Sequence, residues 1–158
     1  MVQLRAHDGL EDAVMPLARL ELRLTSDPAQ IAPARRAVET WATAAGFTRK
    51  TIADLGLCLN EALANVIRHA YADQPQKAIH VALELVSAAP NLAVRVSIRD
   101  WGCGVDPTQL RQRAYDPLIP GGLGMICLRS LMDHVAFSPQ SDGMLLTMLK
   151  INQPESPI

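Results

Sequence analysis

Aromatic residues are scarce in this chain: two Phe, two Trp and two Tyr, 4% of 158 residues. The core must therefore be built from Leu, Val, Ile, Ala and Met. Cysteine is scarce too. Cys58, Cys103 and Cys127 are odd in number, lie far apart and form no CxxC pair, and His7, His69, His80 and His134 show no zinc-type spacing. Neither a disulfide framework nor a structural metal cluster is expected. Charge of one sign is also missing, with 15 Lys and Arg against 16 Asp and Glu for a net −1. No stretch concentrates the basic residues, so the electrostatic footprint of a direct nucleic-acid binder is absent. No apolar run approaches the roughly 20 residues of a membrane span. The opening MVQLRAHDGLEDAVM has no apolar stretch of the secretory type. No membrane contact is expected, and the expected compartment is the cytoplasm.

Hydrophobic residues make up 49% of the chain and charged residues 20%, which excludes intrinsic disorder. The length fits one domain. The expected division is a flexible arm over 1–15, a domain over 16–151 and a disordered tail over 152–158.

Within the domain the pattern is legible. Leu20, Leu22 and Leu24 alternate with Glu21, Arg23 and Thr25, the mark of a half-buried strand. Ser26, Asp27 and Pro28 supply N-cap chemistry for an Ala-rich helix over about 29–45, stopped by Gly46. A second helix is predicted from Thr48 to about Ala72. Two alternating strands follow, one on Ile79, Val81, Leu83 and Leu85, the other on Leu92, Val94, Val96 and Ile98. Residues 101–122 form a long aperiodic loop, and loops of that length are usually functional or disordered. A third helix over about 123–133 and strands near 134–138 and 143–151 complete the order. The fold class is α+β, a two-layer sandwich of a mixed, mostly antiparallel sheet with three helices on one face.

Three segments depart from the needs of a core. On the second helix, Ile52, Leu55, Leu59, Leu63, Val66 and Ala70 cluster on one side at 100° per residue. Glu61, Asn65, Arg68 and His69 lie within about 100° of one another on the opposite side. A carboxylate can take a proton, and a carboxamide oxygen four residues on suits Mg²⁺; a solvated polar face is the plainer reading. In LAVRVSIRD, Asp100 shares the parity of the apolar residues, so its carboxylate points inward. It needs a donor there, either a ligand or the amides of a local turn. Finally, Gly121, Gly122 and Gly124 lead into a helix, where free amides and the helix dipole favour phosphate. Such a loop can also serve a tight turn alone, and no Walker-type sequence occurs.

Together and in this order, these segments resemble the boxes of the GHKL (Bergerat) ATPase fold. The N-box is Glu61-Ala-Leu-Ala-Asn65-Val-Ile-Arg-His69-Ala-Tyr71, the second box Asp100-Trp-Gly102-Cys-Gly104, and the third Gly122-Leu-Gly124-Met125. The likeness spans about residues 17–150 and is greatest to the serine-kinase anti-sigma factors of the RsbW and SpoIIAB type, which share a Leu-Met-Asp helix, here Leu131-Met132-Asp133.

The resemblance implies that Asn65 holds Mg²⁺ on ATP and that Glu61 is general base toward a substrate serine. Asp100 would accept the adenine amino group. His69, Gly102, Gly104, Gly121, Gly122, Gly124 and Met125 would belong to the nucleotide site, with 103–122 as the ATP lid. Arg111 and Arg113 are alternatives for meeting the γ-phosphate. Thr147 matches a family Thr near adenine, although Met144 to Leu149 is apolar on both parities. The implied cofactors are ATP and Mg²⁺. The implied activity is an ATP-dependent protein serine/threonine kinase and partner-switching regulator that phosphorylates a small STAS-type antagonist, binds a sigma factor or similar target, and forms a homodimer. The alternative is a nucleotide-gated binding module with little or no kinase activity. A histidine kinase is disfavoured, because no helix pair carrying a phosphoacceptor His precedes the N-box. A gyrase- or Hsp90-like ATPase is disfavoured because no transducer domain follows.

Overall fold

The computed structural model describes residues 18–88, 91–103, 122–155 and 157. The expected arm over 1–15 lies outside them, as do Gly104, Gly121, Arg111, Arg113 and nearly all of the expected lid.

The chain runs β1 (Arg19–Thr25), α1 (Ile31–Ala44), α2 (Arg49–Asn65), β2 (Ala78–Ala88), β3 (Asn91–Asp100), α3 (Gly122–Leu131), β4 (His134–Gln140) and β5 (Gly143–Ile151). The five strands form one sheet in the order β1-β2-β3-β5-β4. Every neighbouring pair is antiparallel, so the sheet is more regular than the mixed one expected.

The first helix begins two residues later than predicted. Asp27 caps a short 3₁₀ turn at Pro28–Gln30, its carboxylate accepting the Ala29 amide at 2.9 Å, and α1 starts at Ile31. Gly46 stops it at φ +89°, a left-handed conformation that costs glycine little. Thr48 caps α2.

The end of α2 departs from the expected pattern. After Asn65 the chain makes a π-helical turn over Val66–Ala70, and the Tyr71 amide donates to the Val66 carbonyl at 3.1 Å. The wider turn rotates each residue by less than the 100° of an α-helix. Tyr71 thereby comes round to the core side, where it is 6% exposed.

One apolar cluster joins the helices to one sheet face. Leu22, Leu83, Val96, Ile98 and Met148 come from the strands; Val38, Trp41, Leu55, Leu59, Leu63 and Leu128 come from α1, α2 and α3. At about 1.5–3 kcal/mol for each fully buried aliphatic side chain, this burial is the main force holding the layers together. Trp41 and Phe47 stack within it at 6.3 Å. No helix among the described residues is long and apolar enough to cross a membrane.

Residues 152–155, which fall in the expected tail, hydrogen-bond to the domain. The Asn152 amide donates to the Leu92 carbonyl at 2.7 Å, and its side-chain oxygen accepts the Thr48 amide at 2.9 Å. Thr48 Oγ1 donates to the Gln153 carbonyl at 2.7 Å. The free donors of a helix N-terminus need partners, and here the chain end supplies them.

Candidate functional site

The site is built where β3 ends beneath the C-terminal end of α2. Asp100 is the last residue of β3 and is 3% exposed. The predicted inward parity is what the strand shows: Val94, Val96, Ile98 and Asp100 are all buried. Both readings of this carboxylate have support. Its Oδ1 accepts the Gly102 amide at 3.0 Å, as a local turn requires. Yet among the described residues no cationic side chain pairs with it. The Arg99 guanidinium instead donates to the Asp100 backbone carbonyl and pairs with Asp142, while lying 4.7 Å over the Trp101 ring. Burial pushes the Asp100 carboxyl above its ordinary value, against the pull of the Gly102 amide, Arg99 and the Met144 amide. Acceptor capacity is left at a desolvated carboxylate, and an amino donor fits it.

The turn after Asp100 is strapped to the helix above it. A Cβ on Gly102 would overlap the Ala70 carbonyl, and the Cys103 amide donates to that same carbonyl at 3.2 Å. Glycine is required at 102 because protein backbone approaches it there. On the other flank, Gly143 sits at φ +151° with no room for a side chain against the Asp100 carbonyl.

Glu61 and Asn65 are both half-buried on α2, one turn apart. Among the described residues, neither side chain has a hydrogen-bond partner. Glu61 also bears electrostatically on Cys127 of α3, which places α3 beside it. His69 is exposed and lines an open cleft of about 950 Å³ with Tyr71, Lys77, Trp101, Gly102 and Met144. Glu61, Asn65 and Asp100 do not line that cleft, whose walls include Trp101 to Cys103 and the hairpin residues Pro139 to Met144. Arg68 is exposed. Gly122 and Gly124 lie in the first turn of α3, and Met125 packs against the core.

Thr147 is not brought to this site. It pairs with Ser97, which alternates with the buried Val96 and Ile98, and with the exposed Ala136, and so faces away from the helices. Met144 occupies the position opposite Asp100, buried on the core side. The two parities of β5 are both apolar, so this assignment needed the strand register.

The model of the histidine kinase-like ATPase domain matches residues 24–150, a span that holds α2, the Asp100 turn and α3. The chain belongs to the histidine kinase-like ATPase family. Among its relatives, the serine-protein kinase RsbW of Oceanobacillus iheyensis is 26% identical over 144 residues, 86% of this chain and 89% of that one. The serine/threonine-protein kinase BtrW of Bordetella bronchiseptica is 30% identical over 122 residues, 75% of this chain and 79% of its own. The structure of the SiaB-SiaC complex from Pseudomonas aeruginosa contains a similar fold, with a TM-score of 0.57 at 13% identity over 90% of this chain and 94% of that one. In this ATPase domain Glu61 and Asn65 lie on α2 and Asp100 ends β3.

Sequence reasoning overlooked two groups at the site. Tyr71 closes the N-box pattern, but only the π turn shows what it touches. The Arg99–Asp142 pair and the Arg99–Trp101 stack brace the turn from the β4–β5 hairpin, and no local pattern signals a contact across 43 positions.

Proposed function

We propose that the chain is an ATP-dependent protein serine/threonine kinase of the anti-sigma type. In this reading it phosphorylates a serine on a small STAS-type antagonist and, in the alternate partner state, binds a sigma factor or similar target. The observation that carries the reading is the placement of Glu61 and Asn65 one turn apart on α2, with both side chains free of described partners. ATP supplies the γ-phosphoryl group. Phosphoryl transfer asks the protein chiefly for positioning and charge stabilisation. Asp100 would hold the adenine amino group, and the first-turn amides of α3 suit phosphate. Asn65 would offer a carboxamide oxygen to Mg²⁺. That single ligand suits an ion that keeps most of its sphere for phosphates and water. Glu61 would take the proton from the attacking serine hydroxyl.

A homodimer through β1 belongs to the same reading. This strand is an edge of the sheet, and an uncovered edge is a template for pairing with a second chain. The proposed compartment is the cytoplasm. Incubation with γ-labelled ATP, Mg²⁺ and candidate antagonist proteins tests the proposal. Label on an antagonist serine is the expected result, and binding without any transfer would favour the nucleotide-gated module instead.

A further inference from the structure

The Asp100 turn hangs from the π turn that follows α2 by two hydrogen bonds, one to the Tyr71 hydroxyl and one to the Ala70 carbonyl. The Tyr71 hydroxyl accepts the Trp101 amide at 2.8 Å and donates to the Ala78 carbonyl at the start of β2. The Ala70 carbonyl takes the Cys103 amide and leaves no space at Gly102. Trp101 follows Asp100 directly, so the phenol fixes the first peptide unit after the carboxylate. Tyr71 is 6% exposed and belongs to the apolar core cluster. It faces the turn because the π turn of Val66–Ala70 rotates it there.

We infer that Tyr71 is a positioning residue for nucleotide recognition: its hydroxyl, aimed by the π turn, sets the Asp100 carboxylate at the angle at which it reads an amino-bearing purine. The inference rests on the nucleotide reading of Asp100 given above. A hydrogen bond of this kind acts through another group, so its loss alters recognition without removing the recognising atoms. The cost of leaving the Trp101 amide without its partner falls on the turn. Purines that lack the amino donor make no use of the carboxylate's angle, so their binding is indifferent to Tyr71.

Tyr71→Phe keeps the ring and removes only the bridging oxygen. Affinities for ATP and for purine riboside triphosphate, which lacks the 6-amino group, are measured by titration for the unmodified protein, Tyr71→Phe and Asp100→Asn. Tyr71→Phe is expected to weaken ATP binding roughly 3- to 10-fold, the worth of one neutral hydrogen bond, with binding of purine riboside triphosphate unchanged, so that the preference for ATP falls. A purely structural role would lower the melting temperature and leave that preference intact, and an intact preference overturns the inference. If Asp100→Asn also left ATP binding intact, the nucleotide reading itself would fail. Loss in Asp100→Asn with full preference in Tyr71→Phe would overturn the Tyr71 role alone. Amide exchange at Trp101 in the unmodified protein gives a check that needs no variant. The amide is expected to be protected, and more so with ATP; exchange at the rate of a free amide would overturn the inference.

Discussion

The ammonium of Lys150, 2% exposed on β5, lies 3.0 Å from the carboxylate of Asp54 on α2 and donates at 2.6 Å to the Leu131 carbonyl at the end of α3. One buried cation thus ties two helices to the sheet. Burial opposes ionisation of Asp54, but hydrogen bonds from Lys150 and Lys50 outweigh it and hold the carboxyl below its ordinary value. Removing one partner of a buried pair strands the other charge. Asp54→Ala should therefore cost about 3–5 kcal/mol. Lys150→Met should cost clearly less, because Asp54 is more exposed and keeps Lys50 at 3.1 Å. Urea unfolding of both variants checks this; an equal or larger loss in Lys150→Met would contradict it.

Asp54 and Asp100 should give opposite responses to acid. A carboxyl whose folded pKa is lowered stabilises the protein above its unfolded value, and that stability is lost as pH falls through the folded value. Asp54 behaves so. Asp100 has a raised folded pKa, so its ionised form costs stability at neutral pH, and the cost disappears as pH falls through the folded value. Asp100→Asn should then keep or raise the nucleotide-free melting temperature at neutral pH, while most of the ATP-dependent rise is lost. A large fall in the nucleotide-free melting temperature would contradict this account of the carboxylate.

Gly102→Ala tests the strap between the turn and the helix. The added methyl meets the Ala70 backbone carbonyl rather than a flexible side chain, so the turn must move. Overpacking of this kind costs roughly 1–3 kcal/mol. Thermal unfolding should show that loss, and nucleotide titration should show weakened binding. Unchanged values in both would mean that the turn relaxes freely.

Alkylation should separate the cysteines. Cys58 is fully buried, and burial pushes its thiol up to about 12. Burial also raises the Cys127 thiol, whereas Cys103 is exposed. At about pH 8 iodoacetamide should modify Cys103 first and Cys58 only after unfolding, because the thiolate is the reactive form. Mass spectrometry of the time course decides it, and early labelling of Cys58 would contradict the packing described.

The strands and helices were legible because each carries its own period. Leu20 to Thr25 alternates, and α2 shows its apolar side at 100° per residue. Asp100 was legible for the same reason, as the one polar member of an inward parity. Lys150 shares the parity of Met144, Leu146 and Met148, so the sequence did hold a signal for a buried cation. Other features depend on neighbours distant in sequence. The facing of Thr147 depends on pairing with Ser97, and the hydrogen bonding of Asn152 depends on Thr48. The glycine at 102 answers to Ala70, a protein backbone that local pattern cannot distinguish from a ligand. The π turn escaped because wheel arithmetic assumes a constant rotation.

In the proposed mechanism Glu61 acts in transfer and Asn65 in nucleotide binding. That division is tested most directly by labelled phosphate transfer to the antagonist serine, run beside an ATP titration for each variant. Glu61→Ala should retain ATP affinity and lose roughly 10²- to 10⁴-fold in transfer rate, whereas Asn65→Ala should lose Mg²⁺-dependent affinity together with activity. Transfer at the unmodified rate in Glu61→Ala would contradict the mechanism.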